Sequence, residues 1–229
     1  MGWLVDIMKG IMEALYLFTV QIGIPSYALA IILLTVIVNM ILYPLKHTQM
    51  KSMKKMQDLQ PKIKELEVKH KNDPQKKQQE MMDLYKQNGA NPIMGCLPLI
   101  IQLPIFISLY RTLQGFKYTN PAHAKFLWIA DIGKITKNVD PFFILPILVA
   151  VTTYYSQKIS MQKNISDPTQ QTTQQTMLYV MPLLFGYMTI NFPAGLAIYW
   201  VTFSLVGVVQ QLFINRSTSG VPLKEEAKK

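Results

Sequence analysis

The formal charges of this chain gather in one stretch, and long runs elsewhere have almost none. Of the 23 basic and 13 acidic residues, 17 lie between Lys46 and Lys86, whereas Ile24–Leu45 is a run of 22 residues without a formal charge. About 20 apolar residues suffice to cross the hydrocarbon of a bilayer. Charged residues make up 16% of the chain, against about 25% in a typical soluble domain. The pattern excludes an ordinary soluble globule and indicates a small polytopic membrane protein with one charged soluble segment.

We predict an all-α integral membrane protein whose membrane part consists of five spanning helices. The predicted spans are 24–45, 91–115, 141–156, 177–192 and 193–214. Before them, 1–23 has apolar residues at helical spacing from Trp3 to Phe18, with its three charges off that stripe. Such a pattern is typical of an amphipathic helix that lies in the membrane interface. The remaining segments are an outer loop at 116–140, a polar loop at 157–176 and a basic tail at 215–229.

The charged stretch 46–90 is predicted as a hairpin of two antiparallel helices that projects into water. Apolar residues recur every three or four positions from Met53 to Leu66, and a second such face follows the turn signal Asn72-Asp73-Pro74. This seam is narrow, so we expect the hairpin to be mobile relative to the membrane part. Its lysines are consistent with a solvated loop near anionic headgroups. Its methionines instead favour a binding surface, because methionine-rich surfaces bind varied apolar ligands. The candidate residues for receiving a substrate are Met53, Met56, Leu59 and Met81.

The distribution of basic residues predicts the orientation of the chain. The segments 46–90, 157–176 and 215–229 together hold 17 of the 23 lysines and arginines. Five spans place these three segments on one side of the membrane, opposite the N-terminus and the 116–140 loop. Since basic residues collect in cytoplasmic loops, we expect the N-terminus outside and the C-terminus in the cytoplasm.

Motifs of catalysis and cofactor binding are absent from the sequence. The three histidines, His47, His70 and His123, have no acidic or cysteine residues at metal-ligand spacing, and no HExxH, GxSxG, P-loop or GxGxxG occurs. The predicted spans contain no carboxylate, which argues against a proton-coupled pump or an intramembrane hydrolase. We interpret Cys96 as a small core residue, because no histidine or other base is near it in sequence. The sequence predicts neither an enzyme nor a cofactor or metal site.

The predicted spans do contain uncharged polar side chains. Thr35 and Asn39 are four residues apart and therefore share one face of the first span, and Gln102 lies midway along the second. Such groups are consistent with hydrogen bonds between helices, worth roughly 0.6 kcal/mol each in a membrane, or with a shared polar cavity. Asn39 and Gln102 favour the cavity most, since a side-chain amide in hydrocarbon needs several partners.

Several short motifs carry a family resemblance, and their order matches the predicted helix plan. They are Asn91-Pro92-Ile93-Met94-Gly95-Cys96-Leu97-Pro98, Gln102-Leu103-Pro104-Ile105-Phe106, Trp128-Ile129-Ala130-Asp131, Asp140-Pro141 with Leu145-Pro146, and Phe192-Pro193-Ala194-Gly195-Leu196 with Tyr199-Trp200. With these motifs the chain resembles the YidC/Oxa/Alb family of membrane protein insertases over nearly its whole length. It is similar to the compact bacterial form without the large extracytoplasmic domain of Gram-negative homologues.

The resemblance implies an insertase in the bacterial plasma membrane. In this family a groove open to the cytoplasm and the lipid receives the polar flank of a nascent hydrophobic segment, which then moves into the bilayer. The implied partners are nascent membrane proteins and the lipid bilayer, with the Sec translocon and the ribosome as further candidates. A monomer without a small-molecule substrate is expected. The alternative function is a small polytopic transporter or channel.

The resemblance also selects candidate groove residues, with one departure from the family pattern. The first span of the family typically carries a groove arginine, and the matching residue here is Asn39. An amide cannot attract an acidic flank by charge, and Lys46, two turns further on, could partly substitute. We therefore expect Asn39→Arg to increase insertion of substrates with acidic flanks. The candidate groove residues are Asn39, Gln102, Gln175 and Trp200, of which Trp200 has packing as its alternative role.

Overall fold

The computed structural model describes residues 2–71, 73–91, 97–116, 118–161 and 168–218, and within them the chain is helical. The all-α prediction is confirmed for this part of the protein. Parts of the 91–98 motif, the 157–176 loop and the 215–229 tail lie outside the described residues. The helices are α1 Gly2–Gln21, α2 Tyr27–Ile41, α3 Tyr43–Asp58, α4 Gln60–Lys69, α5 Pro74–Gln87, α6 Leu97–Gly115, α7 Thr136–Val139, α8 Ile144–Ser160, α9 Pro168–Thr189 and α10 Ala194–Thr218.

Helix α10 is the centre of the membrane part. It packs along α2 and α8 and also contacts α6 and α9, while α8 and α9 pack closely against each other. The close packing requires small residues: a methyl group at Gly195 would lie 3.1 Å from Ile31 Cδ1. The buried residues Leu34, Val149 and Leu196 belong to the same apolar core. The core therefore holds α10 between α2 on one side and α8 on the other.

The first predicted span is broken at Leu42, where the chain bends by 53° between α2 and α3. Pro44 lies in the first turn of α3. Proline has no N–H for the helix ladder and collides with the carbonyl four residues earlier, so α2 cannot continue straight through this position. Helix α3 thus begins inside the predicted span 24–45 and runs at an angle to α2.

Helices α4 and α5 contact each other through a small apolar core. Ile63 is fully buried there, and the other members of this core are Met56, Leu59, Met81, Leu84, Tyr85 and Ala90. Ion pairs flank it, with Glu67 Oε1 2.8 Å from Lys77 Nζ. At the base of this unit, the Ser52 hydroxyl accepts a hydrogen bond from the backbone N–H of Asn91 at 3.0 Å. The charged segment therefore closes on itself, with its methionine seam turned inwards.

Helix α1 packs on α2 and α6 with a face that the sequence pattern did not single out. Met12 and Tyr16 are buried on this face, and the Tyr16 ring stacks on Tyr27 at 3.8 Å between centroids. The predicted apolar stripe lies elsewhere, since Trp3 and Phe18 are exposed. Both faces of α1 are therefore apolar, one towards the protein and one outwards.

The span count of five stays a prediction. Among the described helices, Ala194–Ile214 is long and apolar enough by itself to cross a membrane, and α2 with α3 qualifies only as a bent pair. Helix α8 continues to Ser160 and α9 begins at Pro168, so the helices extend into the predicted loop 157–176. The glutamines and threonines of that stretch lack apolar periodicity, which is why the sequence favoured a loop there.

Candidate functional site

Three polar side chains meet where α2, α3 and α10 come together. Asn39 is fully buried, and its Oδ1 accepts a hydrogen bond from Lys46 Nζ at 2.6 Å. The same ammonium donates to Gln210 Oε1 at 3.1 Å, and Gln210 Nε2 donates to the backbone carbonyl of Asn39 at 3.1 Å. We call Asn39, Lys46 and Gln210 the amide–lysine cluster.

Local helix geometry explains how the cluster forms. Asn39 lies in the last turn of α2, and Leu42 ends that helix. The carbonyls of a last helical turn lack intrahelical partners and carry the negative end of the helix dipole. Lys46 follows Asn39 by seven residues and lies on the next helix, α3. Its four-carbon side chain extends back, so that the ammonium lies near the C-terminal end of α2. Gln210, on α10, donates to one carbonyl of that turn, the backbone carbonyl of Asn39.

The electrostatics of the cluster are unusual because its cation has neutral partners. Lys46 is half-buried, and its Nζ also lies 4.8 Å from the centre of the Phe203 ring. Within the described ranges, no carboxylate forms an ion pair with it. A partly desolvated ammonium without a counter-ion is costly to maintain. Such an arrangement favours contact with an anionic or strongly polar group from outside the chain.

Gln102 connects to the cluster through the face of α10. Its Nε2 donates a hydrogen bond to the Tyr199 hydroxyl. The rings of Tyr199 and Phe203 lie 6.1 Å apart, and Phe203 contacts Lys46. Gln102 lies on α6, and Tyr199 and Phe203 lie on α10. We call these three residues the α10 row, and together they connect α6 to the amide–lysine cluster.

Trp200 is placed in an aromatic group instead of the α10 row. Its ring lies 4.1 Å from Phe185 and 5.4 Å from Phe106, edge to face. Phe192 packs on Phe106 in turn. The cavity between these rings measures about 10 Å³, too small for a side chain. This environment favours the packing role of Trp200.

The remaining candidate residues are not brought to this site. Gln175 is exposed on α9. Met56, Leu59 and Met81 lie in the apolar core between α4 and α5, while Met53 is half-buried on α3. In the described part of the chain, no three histidine, cysteine or acidic side chains are placed to hold a metal. The substrate-receiving role of the methionines stays a prediction.

Sequence reasoning underrated Lys46 and Gln210. Gln210 was not among the candidate groove residues, and Lys46 was considered only as a partial substitute for a groove arginine. A signal was present, because positions seven apart fall on the same helix face. The bend at Leu42 brings α3 into the necessary geometry, and only the structure reveals its angle.

Comparison with known proteins gives consistent results. The model of the family described as 60Kd inner membrane protein matches residues 18–221. Membrane protein insertase YidC of Geobacter sulfurreducens is 39% identical over 225 residues, 98% of this chain and 40% of that protein. YidC of Helicobacter pylori strain J99 is 44% identical over 191 residues, 83% of this chain and 33% of that protein.

A solved structure supports the same assignment. A crystal structure of active YidC insertase, with its first transmembrane domain resolved, superposes with a TM-score of 0.66 at 29% identity. The match covers 90% of this chain and 46% of that one. The chain thus spans about two fifths of the length of the first relative, 40%. Because the family model covers most of the chain, and the two relatives are 39% and 44% identical to it, the chain belongs to the YidC family of inner membrane proteins.

Proposed function

We propose that the protein inserts nascent membrane proteins into the bilayer, acting as a chaperone for their hydrophobic segments and not as an enzyme. The observation that carries this proposal is the amide–lysine cluster, a half-buried cation held by neutral partners among apolar helices. The Gln102 amide and the Tyr199 hydroxyl add a polar pair between α6 and α10. Family membership supports the same activity, since the relatives compared above are named as insertases.

The physical task of an insertase is to reduce the free energy of bringing polar chain into hydrocarbon. An unpaired peptide group in an apolar medium costs several kcal/mol. We infer that Asn39, Gln102, Tyr199 and Gln210 exchange their internal hydrogen bonds for bonds to the polar flank of a substrate during its passage. Burial of the substrate's apolar segment in lipid supplies the driving force. The membrane potential assists charged flanks.

The topology belongs to the proposal as well. Family membership places the chain in the inner membrane. We propose five spans at the predicted positions, with the N-terminus outside and the C-terminus in the cytoplasm. The lysines of 46–90, the segment that contains α3, α4 and α5, support this orientation, because basic residues collect on the cytoplasmic side.

The cytoplasmic hairpin is the proposed receiving site for substrate. Met53 is half-buried on α3. Leu59 is buried in the small apolar core of the hairpin, and Met56 and Met81 pack against this core while staying partly exposed, so a substrate contacts the whole seam only when the hairpin helices separate. The small size of this apolar core supports such opening.

The proposed partners are the nascent chain, the lipid bilayer, the Sec translocon and a translating ribosome. The tail 215–229 carries four basic residues, and phosphate attraction is the physical basis of a ribosomal contact. We expect the protein to act as a monomer without a small-molecule substrate.

Reconstitution into protein-free liposomes tests the proposed function. A small single-span protein with a short translocated flank is synthesised in the presence of these vesicles, and protease protection of the flank is measured. We expect protection that depends on the reconstituted protein. Equal protection in empty and reconstituted vesicles, with the protein correctly folded, contradicts autonomous insertion. Solute flux from reconstituted vesicles in the absence of polypeptide would instead support a transporter or channel.

A further inference from the structure

Two pairs of large apolar side chains are exposed near the N-terminal end of α8. Leu127 and Trp128 form one pair, and Phe142 and Phe143 form the other; Phe142 is 77% exposed. The buried Asp140 joins the pairs, because its Oδ1 accepts a hydrogen bond from the Trp128 indole at 3.2 Å and its backbone carbonyl accepts one from the Phe143 N–H at 3.1 Å. We call Leu127, Trp128, Phe142 and Phe143 the loop patch.

The backbone of the loop patch is held in a costly conformation. Leu127 and Phe143 have φ angles of 49° and 53°, in the left-handed region that residues other than glycine seldom adopt. Both side chains are exposed, so burial in the protein core does not compensate for this cost. Residues held in such conformations often lie at binding sites. The loop patch therefore has the properties of a surface that contacts something outside the chain.

The loop patch continues into an exposed apolar face of α8. The backbone carbonyl of Phe143 accepts a hydrogen bond from the Ile147 N–H at 3.1 Å. Ile147, Val151 and Tyr155 follow at intervals of four residues, so they share one helix face, and all three are exposed. Helix α8 is one of the proposed spans, and lipid covers the apolar outer faces of such helices. The loop patch then lies at the level of the headgroups, where aromatic residues of membrane proteins collect.

The fully exposed charges of 118–143 are all positive. They belong to three lysines: Lys125, Lys134 and Lys137. The segment has two carboxylates, of which Asp140 is fully buried and Asp131 is half-buried. Among the residues that the structure describes, none of the three lysines takes part in an ion pair. Anionic headgroups attract lysines that lie near a membrane surface, so the charge of this segment complements an anionic lipid.

We propose that the loop patch and these three lysines bind anionic phospholipid at the membrane surface where α8 begins. The apolar rings lie among the upper parts of the acyl chains, and the ammonium groups contact the headgroup phosphates. The proposed topology puts this surface on the outer side of the membrane. Lipid is the occupant because the patch continues along the exposed face of a membrane helix and because its lysines lack acidic partners within the chain. The site is independent of any incoming polypeptide.

Tryptophan fluorescence tests this contact, because Trp128 belongs to the loop patch. Trp3→Phe and Trp200→Phe together leave Trp128 as the single tryptophan. The full chain is reconstituted into vesicles of phosphatidylcholine and phosphatidylglycerol, in which an equal amount of one or the other lipid carries bromine near the headgroup end of its acyl chains. Bromine quenches tryptophan on contact. We expect brominated phosphatidylglycerol to quench Trp128 about twofold more strongly than brominated phosphatidylcholine, since the lysines enrich anionic lipid beside it.

A charge variant and a matched control separate local from general attraction. The charge variant replaces the three lysines of the segment: Lys125→Gln, Lys134→Gln and Lys137→Gln. In this variant the two brominated lipids should quench Trp128 equally. The control removes the same number of charges at exposed lysines of the hairpin: Lys51→Gln, Lys64→Gln and Lys76→Gln. The control should keep the difference of about twofold between the lipids, because its charges lie away from the loop patch.

An aromatic variant tests the apolar part of the contact. Phe142→Ser removes the most exposed ring of the loop patch, so quenching of Trp128 by both brominated lipids should decrease. Leu183→Ser, at an exposed position of α9, should leave the quenching unchanged. Where the double tryptophan replacement does not fold, the difference in quenching between the unmodified protein and Trp128→Phe supplies the same quantity.

The outcomes bear on this site and not on insertion, because no substrate polypeptide is present in the vesicles. Equal quenching of Trp128 by the two lipids, with the three lysines in place, would overturn the selection of anionic lipid. Absence of quenching by either lipid in the folded protein would overturn the lipid contact altogether and would show that protein covers the loop patch. Failure of the protease-protection assay would overturn the proposed function and leave this inference unaffected.

Discussion

The ammonium of Lys46 lies 2.6 Å from the side-chain oxygen of Asn39, although a helix end and a 53° bend separate the two residues along the chain. The positive charge therefore lies at the level of Asn39 on α2, although the residue that carries it belongs to α3. Gln210 completes the arrangement from α10. The cation and the two amides that hold it thus belong to three different helices.

This relationship changes the expectation for Asn39→Arg. The sequence favoured a gain of insertion for acidic substrates, but position 39 is fully buried and already contacts a cation. A guanidinium there adds volume and like charge beside Lys46. Overpacking alone costs about 1–3 kcal/mol, so we expect a lower thermal unfolding temperature in detergent.

Combining Asn39→Arg with Lys46→Gln removes the like-charge contact. The double variant should regain part of the lost thermal stability, whereas Lys51→Gln, at an exposed position of the same helix, should not restore it. Equal unfolding temperatures of Asn39→Arg and the unmodified protein would contradict the buried position of Asn39.

Trp200 gives a prediction that distinguishes packing from substrate contact. Its ring fills the space between Phe106 and Phe185. Trp200→Ala should lower the unfolding free energy by about 2–4 kcal/mol, somewhat below the usual cost for a large aromatic because the ring is half-buried, and Trp200→Phe should lower it less. Insertion of acidic and neutral substrates should then fall in parallel. Selective loss for one substrate class, with unchanged stability, would indicate a direct substrate contact.

The helical class was predictable because long apolar runs without charges indicate membrane helices, and α1 and the charged segment have apolar residues at helical spacing. Helix α1 covers Gly2–Gln21 within the predicted segment 1–23, and α10 covers Ala194–Thr218, where a span at 193–214 was predicted. The inner face of α1 was not predictable, since both of its faces are apolar and only the packing on α2 selects Met12 and Tyr16. Helical extension into 157–176 was missed because polar glutamine and threonine carry no periodic signal.

The site was predictable only in part. Asn39 and Gln102 were selected because buried amides need partners, and both have them. The partner of each comes from a distant part of the chain or from beyond a bend, which spacing alone does not reveal. Local sequence also could not separate Trp200 from its neighbour Tyr199, although adjacent residues on a helix point in different directions.

Asp140 is a buried carboxylate that stabilises the start of α8. Its Oδ2 accepts a hydrogen bond from Leu145 N–H at 2.7 Å, and its Oδ1 accepts one from the Trp128 indole at 3.2 Å. Asp140→Ala leaves both donors without these acceptors, which costs about 1–3 kcal/mol. Thermal unfolding should show this loss, with Asp140→Asn intermediate and exposed Asn138→Ala unchanged. Equal stability of Asp140→Ala and Asn138→Ala would refute the role.

Gly186 allows the close approach of α8 and α9. A methyl group at this position would lie 3.1 Å from both Ala150 Cβ and the Pro146 carbonyl. Gly186→Val should therefore push the two helices apart and lower the unfolding free energy by about 1–3 kcal/mol through overpacking. Gly10→Val serves as the control for the change from glycine to valine, because a methyl group there meets nothing within 4 Å. Similar unfolding temperatures for the two variants would contradict the tight α8–α9 contact.

The contact between α4 and α5 should depend on pH through Glu80. Burial raises the pKa of Glu80, but the hydrogen bond and charge of His70 together with the charge of Lys69 lower it more, to below the ordinary 4.5. A carboxylate with a lowered pKa in the folded protein contributes stability above its ordinary pKa and loses it as the pH falls through the lowered value. Hydrogen exchange of α5, corrected for its intrinsic pH dependence, should therefore accelerate below pH 4.5. Glu80→Gln removes this ionisation, so its α5 should exchange faster than that of the unmodified protein at neutral pH, and the difference should vanish in acid. A difference between the two proteins that stays constant with pH would show that Glu80 does not stabilise the α4–α5 contact through its charge.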